Sequence, residues 1–223
     1  IKLSNSNYKE LYNILTYDFI SYRERLFKKI TELLKIKYIK KLDEDLDVVI
    51  ISDYGKGVCT EENCRRMIES CHTYGVPVVV DPKGTDWTKY AYADYITPNL
   101  KEINQVLAEP IHNEDRDVEV AAHYVMNRFN IRNVIVTRSE EGLSLIRDDE
   151  NVHIPTKAQE VFDVSGAGDT VIAVFAMGLA GGMSPADSAY MANLAASVVV
   201  AKLGTYAVSR EELMAVLKGE AEK

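Results

Sequence analysis

The sequence predicts an α/β fold with a mainly parallel sheet, on three observations. Short continuous apolar runs, such as Val48-Val49-Ile50-Ile51 and Val76-Pro77-Val78-Val79-Val80, read as strands buried on both faces. Segments with helical spacing alternate with these runs, which implies crossover connections. Each run also stops at a polar loop, and ligands gather at the carboxyl ends of parallel strands.

Residues 1–20 are polar and aromatic (Tyr8, Tyr12, Tyr17, Phe19) without a clear period, so an irregular or short-strand start is expected. Leu26, Ile30, Leu33 and Leu34, with Lys37, form a helical stripe with a basic outer face over residues 22–40. Val48 to Ile51 form the first buried strand, ending in Ser52-Asp53-Tyr54-Gly55-Lys56-Gly57. Thr60-Glu61-Glu62 opens a helix through Met67, Ile68 and Cys71 that Gly75 closes. Val76 to Val80 form the next strand, ending in Asp81-Pro82-Lys83-Gly84, and Asp94-Tyr95-Ile96-Thr97 forms a third. Helices are expected over 101–107 and 115–129, then a strand Val134-Ile135-Val136-Thr137 with a hairpin partner Gly142-Leu143-Ser144-Leu145-Ile146. Three helices end the chain: one over 168–180, one from Ser184-Pro185 to Ala201, and one capped by Ser209-Arg210-Glu211-Glu212.

At 223 residues the chain fits one domain. A net charge of -8 argues against nucleic acid as a partner, while leaving room for a local positive pocket that takes phosphorylated substrates. Cys59, Cys64 and Cys71 fit no zinc spacing, and reduced thiols are expected. His72, His112, His123 and His153 lie apart on ordinary elements. No run of about 18 apolar residues and no signal-like segment occurs, so a cytoplasmic protein without membrane contact is expected.

The chemistry concentrates in Asp163-Val164-Ser165-Gly166-Ala167-Gly168-Asp169. A Gly-Ala-Gly turn feeding a helix leaves backbone N–H groups unpaired where the macrodipole favours anions, which is a device for holding phosphate. A carboxylate inside that turn repels phosphate. Its better use is to take the proton of a hydroxyl about to attack one. The amides of Ala167, Gly168 and Asp169 are therefore candidates for surrounding a transferring phosphoryl group, with Asp169 as general base.

This segment resembles the signature Asp-Thr-x-Gly-Ala-Gly-Asp of the ribokinase-like (PfkB) carbohydrate kinases, with Val164 in place of Thr. The resemblance implies a three-layer α/β/α core, with Asp169 as catalytic base and Gly166, Ala167 and Gly168 as the anion hole. Asn99-Leu100-Lys101-Glu102 resembles a second family motif, Asn-x-x-Glu, which implies handling of ATP phosphates and of Mg²⁺ by Glu102 through water. Alone, that spacing is also an ordinary helix start. Thr137 and Ser139 lie where the family borders the nucleotide, though a plain hairpin turn accounts for the same segment. Asn193 resembles the family's adenine-side asparagine, or is a buried Asn bonded to neighbouring backbone.

The order of Ser52 to Gly57, Asp81 to Asp86, Thr97 to Leu100, Thr137-Arg138-Ser139-Glu140 and Lys202-Leu203-Gly204-Thr205 resembles the heptose-7-phosphate kinases of ADP-heptose synthesis. That implies ATP, Mg²⁺ and a sugar phosphate as ligands, phosphorylation of the anomeric C1 hydroxyl, and a homodimer. Asp53 and Lys83, at strand ends facing one crevice, are substrate-binding candidates; a turn-forming Asx and a solvated turn lysine are their plainer readings. The expected organisation is one kinase domain over 1–223, with an atypical leading segment 1–46 and a family-like core 47–215. Nothing in 1–46 matches the family's Gly-Gly-x-x-x-Asn sugar-binding and lid region, so either a fragment or a shortened homologue is expected. Another sugar or nucleoside kinase of this fold, or a catalytically silent nucleotide-binding module, is the alternative.

Overall fold

Among the described residues six short strands form one sheet whose spatial order follows the chain: β1 (Val49–Ser52), β2 (Val78–Asp81), β3 (Tyr95–Ile96), β4 (Val134–Thr137), β5 (Leu143–Ile146) and β6 (Asn151–Ile154). The computed structural model describes residues 46–157 and 161–221. The readings made for residues 1–20 and 22–40 therefore lie outside the described residues. β1 to β4 pair in parallel, while β5 and β6 pair antiparallel as a meander. The mainly parallel sheet expected from the apolar runs is present.

Helix α1 (Glu61–Thr73) joins β1 to β2, and α2 (Leu100–Val106) and α3 (Asp115–Phe129) lie between β3 and β4. Cys64, Ile68 and Cys71 recur at helical spacing on α1 and are all buried. Thr60 caps α1, its side chain accepting from the Asn63 amide. After the sheet come α4 (Ala167–Ala180), α5 (Pro185–Val200) and α6 (Arg210–Ala221). α4 packs on β1, β2 and α5, whereas α5 packs on β5 and β6. α3 packs on β4 and β5.

Alternation along the strands divides the core. Val79, Tyr95, Ile135, Leu143 and Leu145 join Val171, Ile172 and Phe175 of α4 in one buried cluster. Phe175 meets Tyr95 edge-on with ring centroids 4.9 Å apart. Gly178 lets α4 and α5 approach closely: a Cβ there would lie 2.5 Å from the Ser188 hydroxyl oxygen.

Two differences from the sequence reading stand out. β6 was not expected: Asn151-Val152-His153-Ile154 is a polar edge strand without a continuous apolar run. The Thr137–Gly142 connection is also tighter than a plain hairpin, with a 3-10 turn at Ser139–Glu141. A Cβ on Gly142 (φ 84°) would sit 2.2 Å from the Ile154 carbonyl oxygen, so only glycine fits. Among the described residues no helix is long and apolar enough to cross a membrane.

Candidate active site

The carboxyl ends of β1 to β4 and the start of α4 enclose an open cleft of about 190 Å³. Its walls are Tyr54, just past β1, Asp81 ending β2, and Thr97 after β3, followed by Asn99, Glu102, Thr137, Gly166, Gly168 and Asp169. This is where a parallel sheet exposes ligand-binding groups.

The glycine turn is built from its own residues. Asp163 accepts the Ser165 amide on Oδ1 at 2.8 Å and the Gly204 amide on Oδ2 at 3.0 Å, tying the turn to the loop after α5. A bond from the Ser165 side chain, together with these two amides, holds its carboxyl below the usual range. Gly166 adopts φ 80°, which an L side chain rarely does, and caps α4. The first helical bond runs from the Thr170 amide to the Gly166 carbonyl at 2.9 Å. The Gly168 and Asp169 amides therefore precede the intrahelical ladder and remain for an anion. The Ala167 amide instead donates to the Val164 carbonyl at 3.2 Å and closes the turn. A Cβ on Gly168 would meet nothing within 4 Å, so it would project into open space at the cleft wall.

Across the cleft, Asn99 and Glu102 form a reciprocal capping box on α2. The Asn99 side chain accepts the Glu102 amide at 2.9 Å, and Glu102 Oε2 accepts the Asn99 amide at 3.1 Å. Glu102 Oε1 faces Lys83 Nζ at 3.4 Å. The same residues thus start a helix and place a carboxylate on the cleft wall. The Thr137 amide donates to the Pro98 carbonyl at 3.0 Å, locking the end of β4 against this segment.

Asp81 is the residue that sequence reasoning missed. Burial pushes its carboxyl up to about 6, helped by the negative charges of Glu102 and Asp169 and opposed by Lys83. Three carboxylates thus share one cleft with surplus negative charge. The available signal was an aspartate closing a fully apolar strand, immediately before proline. Tyr54 was missed too; its hydroxyl donates to Asp169 Oδ1 at 3.1 Å.

Several expected residues sit elsewhere. Asp53 is 4% exposed and off the cleft wall. Its Oδ1 accepts the Gly55 amide at 2.7 Å, and its Oδ2 takes Lys89 Nζ and the Tyr90 hydroxyl, each at 2.6 Å. Burial would raise its carboxyl, but these donors and the Lys89 charge outweigh it and hold the group low. Asp53 therefore builds an Asx turn over a buried ion pair, and does not face the crevice alongside Lys83 as expected. Asn193 is also buried and donates to the Pro155 carbonyl at 2.9 Å. Ser139 and Lys101 are exposed and Leu100 is half-buried, and none of the three lines the cleft. Arg138, between Thr137 and Ser139, is 3% exposed and clamped by Asn113, Asp115 and Ser144.

The profile of the pfkB family carbohydrate kinases matches residues 13–212. The chain is 44% identical over 199 residues to the bifunctional protein HldE of Trichlorobacter lovleyi, covering 89% of this chain and 40% of that protein. It is 40% identical to the bifunctional protein HldE of Mesorhizobium japonicum, covering 94% of this chain and 42% of that protein. The chain thus spans about two fifths of the length of these curated relatives. Among solved structures, ribokinase from Thermotoga maritima superposes with a TM-score of 0.67 at 27% identity, covering 82% of this chain and 60% of that one. Phosphofructokinase-2 from Escherichia coli gives 0.71 at 18% identity, covering 87% and 62%, and supports the fold alone. On the family match and the identity to these relatives, the chain belongs to the pfkB family of carbohydrate kinases.

Proposed function

We propose that the chain transfers the γ-phosphoryl group of ATP to the C1 hydroxyl of D-glycero-β-D-manno-heptose 7-phosphate. One observation carries the transfer chemistry: the Asp169 carboxylate and the Gly168 and Asp169 amides lie on the same first turn of α4, at the cleft wall. A base and an anion cradle on one turn suit in-line attack by a hydroxyl on phosphate. Asp169 takes the hydroxyl proton as attack proceeds. The Gly168 and Asp169 amides receive the charge that develops on the phosphoryl oxygens. Thr137 and Asn99 border the triphosphate from β4 and α2.

Magnesium fits this cleft, because Asp81, Glu102 and Asp169 crowd negative charge that burial leaves poorly compensated. Glu102, through water, and Asp81 would hold it. Mg²⁺ keeps several waters and takes its remaining ligands from substrate phosphates, whose charge it neutralises. Among the described residues no group of three or more His, Cys, Asp or Glu side chains forms a ready-made metal site, so the ion would depend on substrate phosphate and water for the rest of its ligands.

The choice of heptose rests on the motif order that resembles the heptose-7-phosphate kinases, supported by the 40–44% identity to proteins named HldE. A second reading is another sugar or nucleoside kinase of this fold. The position of Asp53, buried under its own loop and off the cleft wall, favours it.

Asp169→Asn tests the mechanism. It is expected to lower kcat by at least about 100-fold while nucleotide affinity by calorimetry stays within severalfold. Retention of most activity would remove Asp169 as the base.

A further inference from the structure

The hydroxyl of Tyr54 reaches Asp169 Oδ1 from 115 residues away in sequence, at 3.1 Å. Asp169 is exposed on the first turn of a helix, where an Asp side chain is free to rotate. Among the described residues, no other side chain is found donating to its carboxylate. Tyr54 is itself 64% exposed, so its ring does not stand there to fill the core.

Its loop is held from below. Asp53, directly before it, closes the turn onto the Gly55 amide, and Gly55 takes φ 64°. The buried Asp53 carboxylate is anchored by Lys89 and Tyr90 of the 3-10 turn at Thr88–Tyr90. The Tyr90 hydroxyl also accepts the Lys83 amide at 3.1 Å, linking the β1 and β2 loops. An ion pair whose Asp53 end is buried and whose Lys89 end is half-buried carries a desolvation cost that a plain turn does not need. It is the arrangement needed to aim a phenol at a fixed point.

We propose that Tyr54 is a positioning residue for phosphoryl transfer: it fixes Asp169 by Oδ1, leaves Oδ2 for the acceptor hydroxyl, and is aimed by the Asp53–Lys89–Tyr90 anchor. This rests on the proposed function, since it needs Asp169 to act as base. A carboxylate accepts several hydrogen bonds, so the phenol and the acceptor hydroxyl occupy it together. Near-attack geometry is sensitive to shifts of an ångström, which is what an untethered Asp169 would suffer.

The test is steady-state kinetics on the full chain with Mg·ATP and the sugar it phosphorylates. Tyr54→Phe removes one hydroxyl from an exposed ring, so folding is spared. It is expected to lower kcat about tenfold, with KM for ATP within about twofold. Asp53→Asn, checked for retained folding by its melting curve, is expected to lower kcat in the same way. The double variant should be no slower than the worse single variant, because both act through one carboxylate. Unchanged kcat in Tyr54→Phe, a defect confined to KM for ATP, or additive losses in the double variant would each overturn the proposal. If the parent chain phosphorylates no sugar, the proposed function fails separately. The Tyr54–Asp169 link is then read from a double-mutant cycle of Tyr54→Phe and Asp169→Asn in chemical unfolding. Coupling there supports the link, and additivity overturns it.

Discussion

Asp81 and Asp169 occupy one cleft but meet different surroundings. Asp169 is exposed and tethered by a phenol, whereas Asp81 is half-buried beside two other carboxylates. A carboxyl raised to about 6 when folded costs stability once it must ionise. Stability is full below the ordinary carboxylate range and is lost as pH rises through about 6. Asparagine imitates the protonated form. In metal-free buffer Asp81→Asn should therefore raise the unfolding free energy at about pH 7.5 by about 1 kcal/mol, the shift being discounted for partial exposure, and by much less near pH 4. Urea unfolding at the two pH values checks this; an equal effect at both would remove the electrostatic account of the cleft. Asp53 shows the opposite sign, since its donors outweigh burial. Both acids end or follow apolar strands, so sequence pattern alone does not tell them apart. What separates them is Lys89 and Tyr90, brought under Asp53 from 36 and 37 residues away.

The elements of the site were legible in unequal measure. α4 was readable because its glycine turn, its acidic first turn and the apolar run behind it agree locally. The first helix and its Thr60 cap were readable for the same reason. β6 was not, because an edge strand needs no apolar run, and its pairing with β5 is a tertiary fact. Nor does a sequence give the direction of a side chain: of the two readings of Asn193, its bond to the Pro155 carbonyl fits the buried Asn bonded to backbone. At Gly168 the helix and the site pull in opposite directions. Alanine in a helix is favoured over glycine by up to about 1 kcal/mol, and a Cβ here meets no atom within 4 Å. The same Cβ would occupy space at the cleft wall. Gly168→Ala should hold or raise the melting temperature while lowering kcat/KM by at least about tenfold. A variant as active as the parent would mean that no phosphoryl group comes close to this turn.

For the molecule as a whole, the parallel sheet determines where a site can be, and the loops determine what it does. Strand and helix alternation revealed the sheet, and the 163–169 turn is the segment that points to phosphate chemistry. The acceptor side was less legible: of its two candidates, Asp53 is built into the scaffold, and Lys83, off the cleft wall, pairs with Glu102 on it. The identity of the sugar is the central claim. The direct measurement supplies this chain with Mg·ATP and, in parallel, heptose 7-phosphate, ribose, fructose 6-phosphate or a nucleoside. ADP is followed by a coupled assay and the products by phosphorus NMR. The account predicts ADP and heptose 1,7-bisphosphate in equal amounts, with kcat/KM at least about tenfold above any other acceptor. ADP formed faster with ribose, fructose 6-phosphate or a nucleoside, or a heptose product phosphorylated away from C1, would contradict it.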